Sequence, residues 1–175
     1  MARTALTKVG VFENDTVAAL NAMTTELYAG GVTSGAIAPT TVTASGAITG
    51  ASVVASGNVR STGGTVGYST GAGGTVAQAT SKSTGVTLSK SCGQITMDAA
   101  NLAAATIVSF VLTNTLIAAG DVLVLNHISG GTVGSYTLNA QCGAGSATIN
   151  VRNNTAGGLA EAVVIQFAVV KAVNA

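Results

Sequence analysis

Residues 41–63 carry one short unit written twice. Thr-Val-Thr-Ala-Ser-Gly-Ala-Ile-Thr-Gly-Ala is followed by Ser-Val-Val-Ala-Ser-Gly-Asn-Val-Arg-Ser-Thr-Gly. Val42 aligns with Val53, Ala44 with Ala55, Ser45 with Ser56, Gly46 with Gly57 and Ile48 with Val59, at a constant offset of 11 (53 − 42). Each unit supplies one or two branched apolar side chains, a small-residue turn and no aromatic. That is too little to bury a core within a single chain. Short β repeats of this kind become stable when neighbouring copies supply the missing half. The repeat therefore predicts a thin multi-chain stalk, which belongs to a structural protein rather than to a soluble monomeric enzyme.

Composition strengthens this expectation. Of the 175 residues only 7% are charged, where about 25% is usual for a soluble domain. Such a surface suits a chain whose exterior is covered in an assembly. Together with the repeat it predicts a homotrimer, with Val42, Ile48, Val53 and Val59 pointing to the three-fold axis. The seven basic and six acidic residues leave a formal charge of +1. The basic residues Arg3, Lys8, Arg60, Lys82, Lys90, Arg152 and Lys171 are scattered, so there is no electrostatic footprint for nucleic acid. The most apolar run, residues 162–170, is interrupted by Gln166 and falls far short of the ~20 residues of a membrane span. The first residues hold Arg3 and Lys8 but no sustained apolar run before Glu13 and Asp15, so no secretory signal and no membrane partner is expected. Folding in a cytoplasm follows, with Cys92 and Cys142 read as reduced small hydrophobes rather than a disulfide.

Three segments differ in texture. Residues 1–38 hold the one convincing helix signal: Asn14 or Asp15 as cap, then Val17, Leu20, Met23 and Leu27 at helical spacing, then Gly30-Gly31 as a stop. This segment is read as the attachment region. Residues 39–64 are the repeat stalk, entered through Pro39, the only proline. Residues 65–175 are read as an antiparallel β-sandwich or jelly-roll head. Its expected strands are 86–88, 94–97, 106–113, 121–127, 134–139, 147–152 and 161–173, with Cys92-Gly93 among the turns. The expected core is Ile107, Phe110, Leu112, Val122, Val124, Ile149, Val163, Ile165 and Phe167. The last strand is apolar on both faces; such a strand is normally central, and in a small sandwich the second apolar face is expected to meet another subunit.

Signals for chemistry are weak. His127 is the only histidine, and Asp121 lies six residues away on the same strand, out of reach. A Ser129, His127 and Asp98 arrangement has nothing to fix it and no nucleophile elbow. His127 reads instead as the cap of a strand end or a subunit contact. One His and two distant Cys match no metal-ligand spacing. Asp98, Asp121 and Glu161 could supply a carboxylate pair, but sugar-cleaving sites normally also have aromatic platforms, and only Tyr68 and Tyr136 are available in this segment. The Gly-rich stretch 67–74 lacks the Gly-Lys-Ser/Thr of a phosphate loop and reads as a connector. Asn153-Asn154-Thr155 is a glycosylation sequon read as a turn. No catalytic residue, cofactor or metal is expected.

The stretch Gly67-Tyr68-Ser69-Thr70-Gly71-Ala72-Gly73-Gly74-Thr75-Val76, the run Gln78-Ala79-Thr80-Ser81-Lys82-Ser83-Thr84-Gly85-Val86, the run Cys92-Gly93-Gln94-Ile95-Thr96-Met97 and the ending from Ala160 to Val169 resemble a head domain of tailed-bacteriophage virion proteins. In that class the head often follows Gly/Thr/Ser/Val-rich stalk repeats. The resemblance covers the last two-thirds of the chain and the stalk. It implies a homotrimeric virion structural protein without catalytic residues, of the capsid decoration (cement) or head-fibre kind. The phage major capsid protein is then the partner and the capsid surface the location, with assembly in the host cytoplasm. The short stalk favours decoration. The alternative is a receptor-binding short tail fibre or fibre tip whose loops contact host surface glycan.

Overall fold

The computed structural model describes residues 55–173. The expected N-terminal helix with Val17, Leu20, Met23 and Leu27, and the axis positions Val42, Ile48 and Val53, lie outside the described residues. Residues 55–64, the end of the repeat, form no strand, and Val59 is 74% exposed in the single chain.

Eight strands follow: β1 (Thr75–Ala77), β2 (Val86–Thr87), β3 (Cys92–Thr96), β4 (Ile107–Thr113), β5 (Val122–Ser129), β6 (Tyr136–Gly143), β7 (Ser146–Asn153) and β8 (Val164–Val170). No helix occurs among the described residues. Strand composition is as expected of pleated, half-buried segments: Val, Ile, Leu, Thr and Phe alternate with small polar residues. The strands form two four-stranded sheets, ordered β1-β3-β8-β5 (sheet A) and β2-β4-β7-β6 (sheet B). Both contribute to one apolar core, an arrangement compatible with a β-sandwich.

The sheets are mixed rather than purely antiparallel. β1 runs parallel to β3 and β2 parallel to β4, while the other pairs are antiparallel. This departs from the all-antiparallel pattern expected of a jelly roll. The expectation missed β1 altogether, because a three-residue strand after a Gly-rich run has no periodicity to detect. It also read Cys92-Gly93 as a turn, whereas both lie in β3. Gly93 is there for close approach: a Cβ on it would meet the Gly74 carbonyl oxygen at 2.7 Å and a Leu88 methyl at 2.8 Å.

The inner layer of sheet A is Ile95, Leu123, Ile165, Phe167 and Val169; that of sheet B is Val86, Phe110, Leu112, Ala147, Ile149 and Val151. Phe110, Leu112, Ile149, Val163, Ile165 and Phe167 are buried as expected. Ile107, Val122 and Val124 are not in the core; they are 55%, 52% and 51% exposed. The pleat decides this, since residues one apart take opposite faces. Ile107 stands opposite to Phe110, and Leu123 takes the inward place between Val122 and Val124. β8 lies between β3 and β5.

Candidate functional site

The two ends of the sandwich are closed by different polar chemistry. At one end, β5 finishes with His127 and β6 begins with Tyr136, joined by the 130–135 loop. The loop turns on Gly130 (φ +63°), where any Cβ would sit 2.1 Å from the Ala162 carbonyl oxygen. The His127 ring hydrogen-bonds through Nε2 to the Gly130 carbonyl and meets the Tyr136 ring edge-on at 5.8 Å. Glu161 fastens the same loop. Its Oε2 accepts from the Thr132 N–H (2.9 Å) and the Tyr136 hydroxyl (2.7 Å), and its Oε1 accepts from the Thr132 hydroxyl (2.6 Å). These donors, the Thr132 hydroxyl first, hold the Glu161 carboxyl below the ordinary glutamate range. Burial, and then the bond to Glu161, push the Tyr136 hydroxyl well above the usual tyrosine range.

Lys82 extends this cluster. It is buried, and its Nζ donates to the carbonyls of Asp98 (2.6 Å) and Glu161. Desolvation draws its ammonium below the ordinary lysine range, opposed by the charges of Asp98 and Glu161. Gln78 places the Lys82 loop by donating to the Lys82 and Thr84 carbonyls (2.9 and 2.8 Å) and accepting from the Asp98 N–H at 3.0 Å. Asn153, the last residue of β7, is fully buried. Its Nδ2 donates to the carbonyls of Leu102, Ala103 and Gly157, while its Oδ1 accepts from the Thr155 N–H and hydroxyl. A sequon asparagine so placed organises the following turn and presents no free amide for a glycan.

At the opposite end Asp121 precedes β5. Its carboxylate accepts from Lys171 Nζ (2.5 Å) and from the Ala118 and Ala172 N–H groups. The Lys171 bond leads in holding the Asp121 carboxyl down. Asp98 and Glu161 thus meet around Lys82, while Asp121 is at the far end of the β5–β8 pair, so the three acids considered from sequence do not form one site. His127 is likewise hydrogen-bonded to Gly130 and packed edge-on against Tyr136 rather than bonded to Asp98 or Ser129. Its partners come from the next loop and the other sheet, which no reading along one strand could find. Cys92 and Cys142 are unpaired and partly buried, and burial pushes the Cys142 thiol up. Among the described residues, no three His, Cys, Asp or Glu side chains converge in a way that could hold a metal ion.

The outer faces of the two sheets differ. On sheet B, Ile107 and Val111 of β4 are exposed, and between them runs a polar row: Ser109, Asn150 and Asn139 lie abreast on β4, β7 and β6. The Ser109 hydroxyl donates to Asn150 Oδ1 (2.6 Å) and Asn150 Nδ2 donates to Asn139 Oδ1 (2.6 Å). On sheet A, Val122 pairs with Val170, and Cys92, Ala168 and Val124 lie abreast. The next row is three amides, Gln94, Gln166 and Asn126. No protein-family model matches this chain, and no curated protein or solved structure is significantly similar to it.

Proposed function

We propose that this chain is a structural virion protein that decorates and reinforces a bacteriophage capsid as a homotrimer. One observation carries the reading. A chain with only 7% charged residues exposes branched apolar side chains across its head when alone, among them Ile107, Val111, Val122, Val124, Val133 and Val170. Val122, Val124 and Val170 share one face, and apolar side chains left exposed together on one face are characteristic of chains covered by partners. The repeat at 41–63 supplies a way to gather copies, and the resemblance of 65–175 to phage head domains names the setting. The polar clusters at the two ends serve cohesion in this reading: they fasten loops 78–84, 130–135 and 153–162 onto the sheets. Residues 1–38 are the attachment segment, with Val17, Leu20, Met23 and Leu27 meeting the major capsid protein.

The runner-up, a receptor-binding short tail fibre, has its own support. The 130–135 loop lies at the end of the sandwich away from the connector and presents Val133, which is 91% exposed, to whatever the tip meets. Densitometry of purified particles separates the two. Hundreds of copies per virion are expected for decoration, and a few copies at the tail would replace it with adhesion. A chain without residues 1–36 should no longer bind particles; binding retained in full would make the head the anchor.

A further inference from the structure

We propose that residues 131–134 form a lid over the Val163 end of the core, that the Glu161 side chain is its latch, and that acid releases it. The device is independent of the capsid reading and holds whatever partner the head meets.

Two fixed points frame the segment. Gly130 lies against the Ala162 backbone, where a Cβ would meet the Ala162 carbonyl oxygen at 2.1 Å. Its own carbonyl accepts from His127 Nε2. Ser135 is buried, and its carbonyl accepts from the Asn154 N–H at 2.9 Å. Between these points Gly131 and Gly134 take positive φ (+73° and +79°), torsions that glycine changes at little steric cost. Thr132, Val133 and Gly134 are exposed. Gly131 covers the core directly: a Cβ there would lie 3.0 Å from a Val163 methyl and 3.1 Å from the Tyr136 ring. Val163 is 0% exposed beneath it.

Among the described residues, two hydrogen bonds tie this segment to another element, and both end on Glu161. The Thr132 N–H donates to Oε2 and the Thr132 hydroxyl to Oε1. The Ser135 N–H to Thr132 carbonyl bond (3.2 Å) lies inside the loop. The Tyr136 hydroxyl shares Oε2. All three groups donate, so the latch needs a carboxyl that only accepts. A proton on that carboxyl puts a further hydrogen among three donors. The two hydroxyls can turn and accept it; the Thr132 N–H cannot. Bonds to an ionised acceptor are also about twice as strong as neutral ones, so protonation weakens those that remain.

The groups facing the carboxyl come from three elements. Lys82, on the 78–84 loop, donates to the Glu161 carbonyl, and its charge favours the carboxylate; Asp98 acts on that ammonium in turn. Tyr136, on β6, keeps its proton throughout. His127, on β5, meets the Tyr136 ring edge-on. The Gly130 carbonyl only accepts, so Nε2 carries the hydrogen whether the ring is neutral or charged, and the hinge stays in place when the lid opens. The donors hold Glu161 below the ordinary glutamate range. The latch is therefore set at neutral pH and lost as pH falls through that lowered value. Opening uncovers Val163 and the Tyr136 ring, an apolar surface offered only in acid.

The test follows amide hydrogen exchange by NMR in the full chain, from neutral pH down through the carboxylate range, expressed as protection relative to the unstructured rate. Thr132 should lose at least about tenfold in protection as Glu161 is protonated, while Asn154 keeps its own. Tyr136→Phe removes one donor from Oε2 and should move the midpoint of the Thr132 loss to higher pH. Glu161→Gln should show the low Thr132 protection already at neutral pH, without pH dependence. Thr132 protection that is flat with pH overturns the latch. Protection that falls only together with that of Asn154 is global unfolding and overturns the lid. A Glu161→Gln chain that does not fold leaves the decision to Tyr136→Phe, where an unmoved midpoint overturns the proposal.

Discussion

Sheets A and B have the same strand count, share one core and both expose branched apolar side chains, yet the polar rows of their outer faces are built to opposite rules. Sheet B turns a row of Ser and Asn outward and closes it on itself through two 2.6 Å hydrogen bonds. Sheet A turns valines outward beside amides that find no partner among the described residues. A self-satisfied polar ladder can face water at no cost, because every group is bonded in place or solvated. A row of valines beside open amides gains from being covered, since apolar area leaves water and the amides acquire partners. The lesson is that an outer face is best judged by whether its polar groups are already used, not by how many there are.

The largest test of this comparison removes the layer both faces stand on. Phe167 is 0% exposed in the centre of β8, and Phe167→Ala should cost about 3–5 kcal/mol of stability. Thermal unfolding checks it; an unchanged Tm would mean that the last strand is not shared by both layers. A smaller effect concerns the end held by Glu161 and Lys82. Lys82→Ala leaves the carbonyls of Asp98 and Glu161 without their donor and should cost about 1–3 kcal/mol in urea unfolding.

The ladder itself comes next. Asn150→Ala breaks both of its bonds and should lower stability by about 0.5–1.5 kcal/mol. Gln141→Ala, on the same face but outside the ladder, should stay within about 0.5 kcal/mol. Measured below the association range, Asn126→Ala on sheet A should also change stability less than Asn150→Ala. A reversal of that order would erase the distinction between the two faces.

The smallest effect separates the faces from the ends through pH. The Glu161 carboxyl is lowered in the folded state. Its stabilisation is therefore present above the ordinary glutamate range and is lost as pH falls through the lowered folded value. Glu161→Gln should be less stable than wild type near neutrality and converge with it in acid. Unfolding curves that stayed parallel down to the acid limit would show that the Thr132 and Tyr136 bonds do not depend on the charge.

Much of the architecture was legible in the residues. Alternation in 107–113 separates Val108, Phe110 and Leu112 from Ile107, Ser109 and Val111, and the structure keeps that separation. The apolar run of the last strand was also legible, and β8 buries Ile165, Phe167 and Val169 from it. The cluster around Glu161 was not legible. Glu161 reaches Tyr136 across 25 residues of sequence and Thr132 across 29, and nothing local to either marks the meeting. The inward face of β5 is hidden for a related reason: Val122, Leu123, Val124 and Leu125 are apolar on alternate and intervening positions alike, so composition offers no choice between its faces.

By itself, then, the sequence determined the β class of the head, the positions of most strands and the two sets of residues that each pleat must separate. These follow from steric preference and a side-chain period of two, which act over a few residues. Only the tertiary structure decided which set of β5 goes inside, that β1 and β2 add as parallel edges, and which polar groups close on one another. Those outcomes depend on which strands become neighbours and on the volume left between two sheets, quantities that no single segment of the chain contains.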